Sequence, residues 1–164
     1  MKSLFTIGYE KANLPDFIKT LKDSGINTLL DIREFPISRN QGFSKKTLAL
    51  ALEESGIHYL HEKALGSPKK IRDALHSSND YPQFFRQFED YLLTCKPLLQ
   101  ELTETIQGTV VLMCYERDYK TCHRLIVAQH MQAISGIVPT HLLVNKYAKD
   151  YTKAVRLGEG LSAT

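Results

Sequence analysis

Between Cys114 and Arg124 the chain sets two thiols, one imidazole, two guanidiniums and two carboxylates within eleven residues. A thiolate is a nucleophile, imidazole and carboxylate move protons, and a guanidinium grips an anion through paired N–H groups. Cys122 reads as part of the first turn of a helix capped by Thr121. Backbone N–H groups there, with Lys120, His123 and Arg124 close by, favour a thiolate. Cys114 ends the apolar run Thr109–Met113, the position of a loop nucleophile at a strand end, where burial raises a thiol's pKa unless a cation is near. Both cysteines read equally well as small packing residues. Cys95, one helical turn beyond Tyr91, reads as core.

His123 suits a general base, a phosphate ligand or a cap on a neighbouring carbonyl. Cys114, Cys122 and His123 offer three metal ligands, but neighbours on a helix point about 100° apart, so neither a metal nor a cofactor is expected. A Cys114–Cys122 disulfide suits a redox role better than a structural one.

These groups need a frame. Leu4–Ile7 reads as a first strand, ending at Gly8. Asn13 caps a helix with Asp16 three positions on; Phe17, Ile18 and Leu21 share a face, and Gly25 stops it. Ile26–Ile32 is a second strand. Ser44 caps a helix that turns Leu48, Ala51 and Leu52 inward and ends at Gly56. Ile57–Leu60 is a third strand, followed by a loop over His61–Ser67. Helices are predicted over Lys69–Leu75 and Pro82–Thr94, and from Pro97 to about Ile106, with a turn over Ser77–Asp80. After the Cys114 strand the helix from Cys122 runs to about Gly136, and Pro139–Val144 is the last strand. The rhythm is that of a single α/β domain over 1–144: a largely parallel sheet of about five strands with helices on both faces. The residues 145–164 read as a polar tail, expected to be mobile.

Parallel strands bring their carboxyl ends to one edge, where ligands bind in open sheets. That edge collects Gly8, Tyr9 and Glu10; Asp31, Arg33, Glu34 and the loop Pro36–Arg39; His61, Glu62 and Lys63; and Cys114, Glu116 and Arg117. Asp31 directly follows an apolar run and needs a partner. It reads either as one half of a structural ion pair or as the group that orients a catalytic residue or an arginine. Arg33, Arg39, Arg117 and Arg124 read as an anion pocket, with a solvated rim balanced by Glu34, Glu116 and Asp118 as the alternative. His58 and His61 flank the third strand, and one of them can reach the rim.

Composition restricts the function class. The 164 residues are 43% hydrophobic and 24% charged, ordinary for a globular chain, and the net charge of +3 does not of itself select nucleic acid as partner. No long uncharged apolar run is present, so no membrane span is expected. The first residues are too quickly polar for a secretory signal, and three cysteines do not make a disulfide framework, so a cytoplasmic setting is expected.

Thr6-Ile7-Gly8-Tyr9, Asp31-Ile32-Arg33-Glu34-Phe35-Pro36, Ser38-Arg39, Phe43, Gly56-Ile57-His58-Tyr59, Leu65-Gly66 and Leu112-Met113-Cys114-Tyr115-Glu116 with Cys122-His123-Arg124 resemble the bacterial and archaeal domain of unknown function 488 family. The likeness spans most of residues 3–143. It implies an α/β fold and a candidate site at the Cys114–Arg124 cluster; the family commonly has histidine where Tyr9 stands. A weaker resemblance is to rhodanese-like domains, which pair an Asp-x-Arg with a strand, cysteine loop and helix. The cysteine-phosphatase spacing is not met, because Lys120 stands where its arginine would.

Three functions follow as expectations. The first is an enzyme for a small anionic, phosphorylated or nucleotide-like substrate. In it Cys114, Cys122, Asp31, Glu116 and His123 supply chemistry, while Tyr9, Arg33, Arg39, Arg117 and Arg124 bind. The second is a nucleic-acid-binding module using Arg39, Lys45, Lys46, Lys63, Lys69, Lys70 and Arg72, with Phe43, Tyr59 and Tyr81 for stacking. The third is a thiol redox or sulfur-transfer protein built on Cys122.

Overall fold

A computed structural model of the protein describes residues 1–146, so the reading of 147–164 as a mobile tail lies outside the described residues. In chain order the elements are β1 (Ser3–Gly8), α1 (Leu14–Asp23), β2 (Thr28–Asp31), α2 (Lys45–Glu54), β3 (His58–His61), α3 (Lys69–Ser78), α4 (Tyr81–Thr94), α5 (Lys96–Thr105), β4 (Thr109–Cys114), α6 (Arg124–Ser135) and β5 (Thr140–Leu142). Single 3₁₀ turns occupy Lys63–Leu65 and Tyr119–Thr121.

The strands form one sheet in the order β3-β2-β4-β1-β5, and every pairing is parallel. Val110 to Met113 are fully buried, as befits a central strand covered on both faces. Alternate residues feed two cores. Leu4, Leu30, Val110 and Leu112 pack against Phe88, Leu92, Leu99, Val127 and Met131 of α4, α5 and α6. On the other face Ile7, Leu29, Val111 and Met113 meet Phe17, Leu21, Leu48 and Leu52 of α1 and α2. Each such side chain, taken from water, stabilises the fold by about 1.5–3 kcal/mol before chain entropy is counted. Among the described residues no helix is long and apolar enough to cross a membrane.

Local signals explain the element ends. The Asn13 side chain accepts from the Asp16 N–H at 2.8 Å, and Gly25 and Gly136 follow their helices at φ +69° and +75°. Ser44 precedes α2 but does not cap it; its hydroxyl instead accepts from the Ser38 N–H at 3.1 Å and closes the loop after β2. Strands β2 and β5 are shorter than the apolar runs suggest, because Ile26 and Val144 pack against the core outside the ladder, and β3 is shifted by one residue to His58–His61, with Ile57 in the core before it. Conversely α3 continues to Ser78, where Asn79 turns left-handed at φ 54° and ends it.

Candidate active site

The register levels the carboxyl ends of the inner strands. Gly8 lies beside Cys114, and Asp31 pairs with both Met113 and His61. Gly8 is needed there, since a Cβ at that position would collide with the Glu116 backbone carbonyl. A cleft of about 720 Å³ opens above this edge. Its lining includes Cys114, Glu116 and His123, with Tyr9, Arg33, Arg39 and Tyr115 among the other residues from the rim.

Cys114 and His123 meet although they lie nine positions apart. Cys114 Sγ is 3.6 Å from His123 Nδ1, and Cys122 Sγ is 3.8 Å from the same nitrogen. His123 Nε2 is fixed at 2.9 Å from the Ile32 carbonyl oxygen. All three residues are buried, and their ligand atoms lie within 4.8 Å of one another. This corrects the expectation of divergent neighbours on a helix. Cys122 is extended (φ −125°, ψ 142°) and closes the 3₁₀ turn, while His123 is the cap residue before α6. Asp118 causes the offset: its side chain accepts from the Lys120 N–H at 2.9 Å and its carbonyl from the Thr121 hydroxyl, also at 2.9 Å.

The charges in this cluster are interdependent. Burial alone would raise the Cys122 thiol, but a hydrogen bond from Cys114 and the charges of His123 and Arg124 bring it well below its ordinary value. Cys114 moves up, through its hydrogen bond to Cys122 and its own burial. Burial opposes the His123 charge, and the neighbouring Cys122 more than restores it, so His123 moves up. Glu116, whose Oε2 accepts from the Cys114 thiol at 3.4 Å, is pushed up to about 7 by burial and by the Cys122 charge.

Asp31 and Arg33 form a forked, buried ion pair, with Nε to Oδ1 at 2.9 Å and Nη2 to Oδ2 at 2.7 Å. Burial would lower the Arg33 pKa; the bonds and charge of Asp31 reverse this and raise it. Tyr59 donates to Asp31 Oδ2 at 2.6 Å, and Arg33 Nη1 donates to the Tyr9 hydroxyl at 3.1 Å and the Phe43 carbonyl at 2.7 Å. His61 Nε2 meets the Arg33 carbonyl at 2.8 Å, whereas His58 turns to Glu53 on the exposed side. Tyr9 lines the cleft, yet it is only 2% exposed and stacks on Phe43 at 4.5 Å. Phe43 is fully buried and is therefore not a stacking platform for a base.

The four arginines grouped by the sequence separate in space. Arg33 and Arg39 line the main cleft, and Arg117 lines two smaller pockets instead. Arg124 is fully buried, and its guanidinium donates to the Glu116 carbonyl, the Arg117 carbonyl (3.1 Å) and Thr6 Oγ1 (3.4 Å). Cations the sequence did not suggest for the site take their place: Lys11 and Arg72 line the same cleft. The side chain of Phe35, half exposed, is flanked by Lys63 at 5.2 Å and Arg72 at 5.7 Å. Ser67, 2% exposed, also lines the cleft, and its Oγ has no hydrogen-bond partner among the described residues.

A family model described as Domain of unknown function DUF488 matches residues 13–131. The chain belongs to this family. The matched span holds every residue of the cluster from Asp31 to Arg124, while the DUF488 match begins after Tyr9 and Lys11. No curated protein and no solved structure matches the chain significantly.

Proposed function

We propose that the protein is an enzyme that binds a small anionic substrate, phosphorylated or nucleotide-like, in this cleft and acts on it beside Cys114. One observation supports the reading above others: a single cleft is lined both by Cys114, Glu116 and His123 and by Lys11, Arg39 and Arg72. The first group offers nucleophilic and proton-transferring atoms, and the second offers positive charge. Convergent polar groups in a concave site are the ordinary basis of an active-site assignment.

In this reading Lys11 and Arg39 hold the anion. Arg72 is half committed to Glu34 at 3.6 Å, so it closes the wall more than it carries the charge. Tyr115 and Phe35, both about half exposed, offer flat faces to a planar group. Glu116 touches both the cleft and the Cys114 thiol, so it is the group that carries a proton between them. Asp31 and Arg33 hold the loop after β2 in shape; they are positioning residues. The reaction classes these groups serve are hydrolysis and group transfer.

The test is a turnover screen with phosphate monoesters and nucleotides on the wild type, Glu116→Gln and Arg39→Ala. Glu116→Gln is expected to lower kcat by roughly 100-fold or more, and Arg39→Ala to act mainly on KM. Unchanged turnover in both variants would refute the assignment. Binding of DNA or RNA oligomers with a steep salt dependence, indifferent to Glu116→Gln, would instead favour the nucleic-acid module.

A further inference from the structure

We propose that Cys114, Cys122 and His123 form a site for one thiophilic divalent cation, zinc foremost, with a fourth position open to the cleft.

The distances fit. Zinc bonds thiolate sulfur at about 2.3 Å and imidazole nitrogen at about 2.0–2.1 Å in a tetrahedron. The edges of that tetrahedron are therefore about 3.6 Å between sulfur and nitrogen and about 3.8 Å between sulfurs. The two sulfur–nitrogen distances here are 3.6 and 3.8 Å, and all three donor atoms lie within 4.8 Å of one another. The two sulfur–nitrogen edges are in place before any metal arrives, and the sulfurs are no more than 4.8 Å apart.

The histidine is oriented as a ligand. A backbone carbonyl only accepts, so the 2.9 Å contact from Nε2 to the Ile32 oxygen places a proton on Nε2. In the neutral ring, the form a metal selects by displacing the other proton, Nδ1, which faces both sulfurs, presents its lone pair. A histidine fixed through its second nitrogen by a carbonyl is the usual support of a metal ligand. Phe88 packs edge-on against the same ring, with centroids 5.1 Å apart, and limits its rotation.

The backbone explains how adjacent residues share one target. Cys122 is extended and His123 is in the helical region, so their side chains need not diverge as they would within a helix. Cys114 arrives from the end of β4, held against Gly8.

The donor set also selects the cation. Two thiolates and one imidazole are soft ligands, suited to zinc and poor for magnesium or calcium. Two thiolates balance a divalent charge, which a buried pocket requires. Cys114 and His123 line the cleft and Cys122 does not, so the missing fourth ligand lies on the cleft side, near Glu116. Three protein ligands with one open position mark a catalytic rather than a structural zinc site. Cys114 would then be a ligand and not an attacking group. Such an ion lowers the pKa of a bound water and polarises a substrate oxygen. This last role rests on the proposed function; the site itself does not.

The test uses the full chain, reduced, stripped with a chelator and titrated with Co(II) and then Zn(II). One equivalent of cobalt is expected to give a thiolate-to-cobalt charge-transfer band and the strong visible bands of a tetrahedral ion, both erased by one equivalent of zinc. Cys122→Ser and His123→Ala are expected to weaken binding by more than about 100-fold, while Glu116→Gln keeps one ion per chain. The wild-type spectrum stands as a readout even if a ligand variant fails to fold. A folded wild type that takes up no stoichiometric metal, or takes it up without thiolate charge transfer, overturns the proposal. The two readings fail separately. A chain that binds cobalt through thiolates but no anion keeps this site and loses the proposed function; a chain that binds anions but no metal does the reverse.

Discussion

Arg124, wholly buried, donates from Nη1 to the backbone carbonyl of Glu116, so a charged side chain serves here as a strut for the loop that carries the cleft's carboxylate. A second bond from Nη2 holds the Arg117 carbonyl at 3.1 Å. Arg124→Met leaves these carbonyls without their donors. The expected loss of stability is on the order of 3 kcal/mol, read from urea denaturation. A change within ~0.5 kcal/mol would mean that Arg124 is not a strut.

Asp31 anchors a second device. Its pair with Arg33 has side chains 0% and 6% exposed, and Tyr59 adds a hydrogen bond at 2.6 Å. Asp31→Asn leaves a buried guanidinium without its counter-charge and is expected to cost about 3–5 kcal/mol. Tyr59→Phe removes one bond to a charged group and is expected to cost about 1.5–3 kcal/mol. Comparable denaturation curves for the two variants would show that the charge is not what holds the pair.

Lys11 separates stability from binding. It is a non-glycine residue at φ 59°, in the left-handed region, and it lines the cleft. Lys11→Gly relieves that conformation and is expected to gain about 1 kcal/mol of stability. The same change removes one of the cations assigned to the anion and is expected to weaken its binding. Thermal denaturation with and without inorganic pyrophosphate reads both effects. Unchanged binding in this variant would take Lys11 out of the anion site.

His141 gives the pH dependence. Burial and the charge of Arg124 lower its pKa below the ordinary 6.5, and Nδ1 lies 2.7 Å from the Thr6 hydroxyl. The folded state thus favours the neutral ring, and the unfolded chain binds more protons in this window. The stability from His141 is complete above about 6.5 and is lost as pH falls below it towards the lower folded value. NMR titration of the ring is expected to show a midpoint below that of an unfolded peptide. A midpoint above it would reverse the sign.

The sheet was legible because Thr109–Met113 and Thr28–Leu30 carry unbroken apolar runs with glycine stops between them. The rim followed, since parallel strands must end together, and it put Asp31, Arg33, Cys114 and Glu116 on one edge; His123 joins them from the cap position before α6. What the sequence hid was the approach of α3, which carries Arg72 into the cleft from a segment whose own pattern is only amphipathic. Lys11 was hidden because nothing in its neighbours marks a left-handed turn. Cys122 lies outside the helix its sequence suggests, because Asp118 accepts from the Lys120 N–H and the Thr121 hydroxyl, closes a 3₁₀ turn first and delays α6 to Arg124. Arg124 itself looked like an anion ligand because a sequence cannot show that a guanidinium is already spent on carbonyls.

The central claim is that the cleft beside Cys114 receives a small anion. Backbone amide shifts followed by NMR during titration with inorganic pyrophosphate, and separately with a nucleoside monophosphate, test it most directly. Saturable shifts are expected at Lys11, Arg39, Ser67, Tyr115 and Glu116, with their loss in Arg39→Ala. Shifts confined to Arg117 and Lys120, which line the separate pocket beside Tyr119, would contradict it, as would the absence of saturable shifts with either probe.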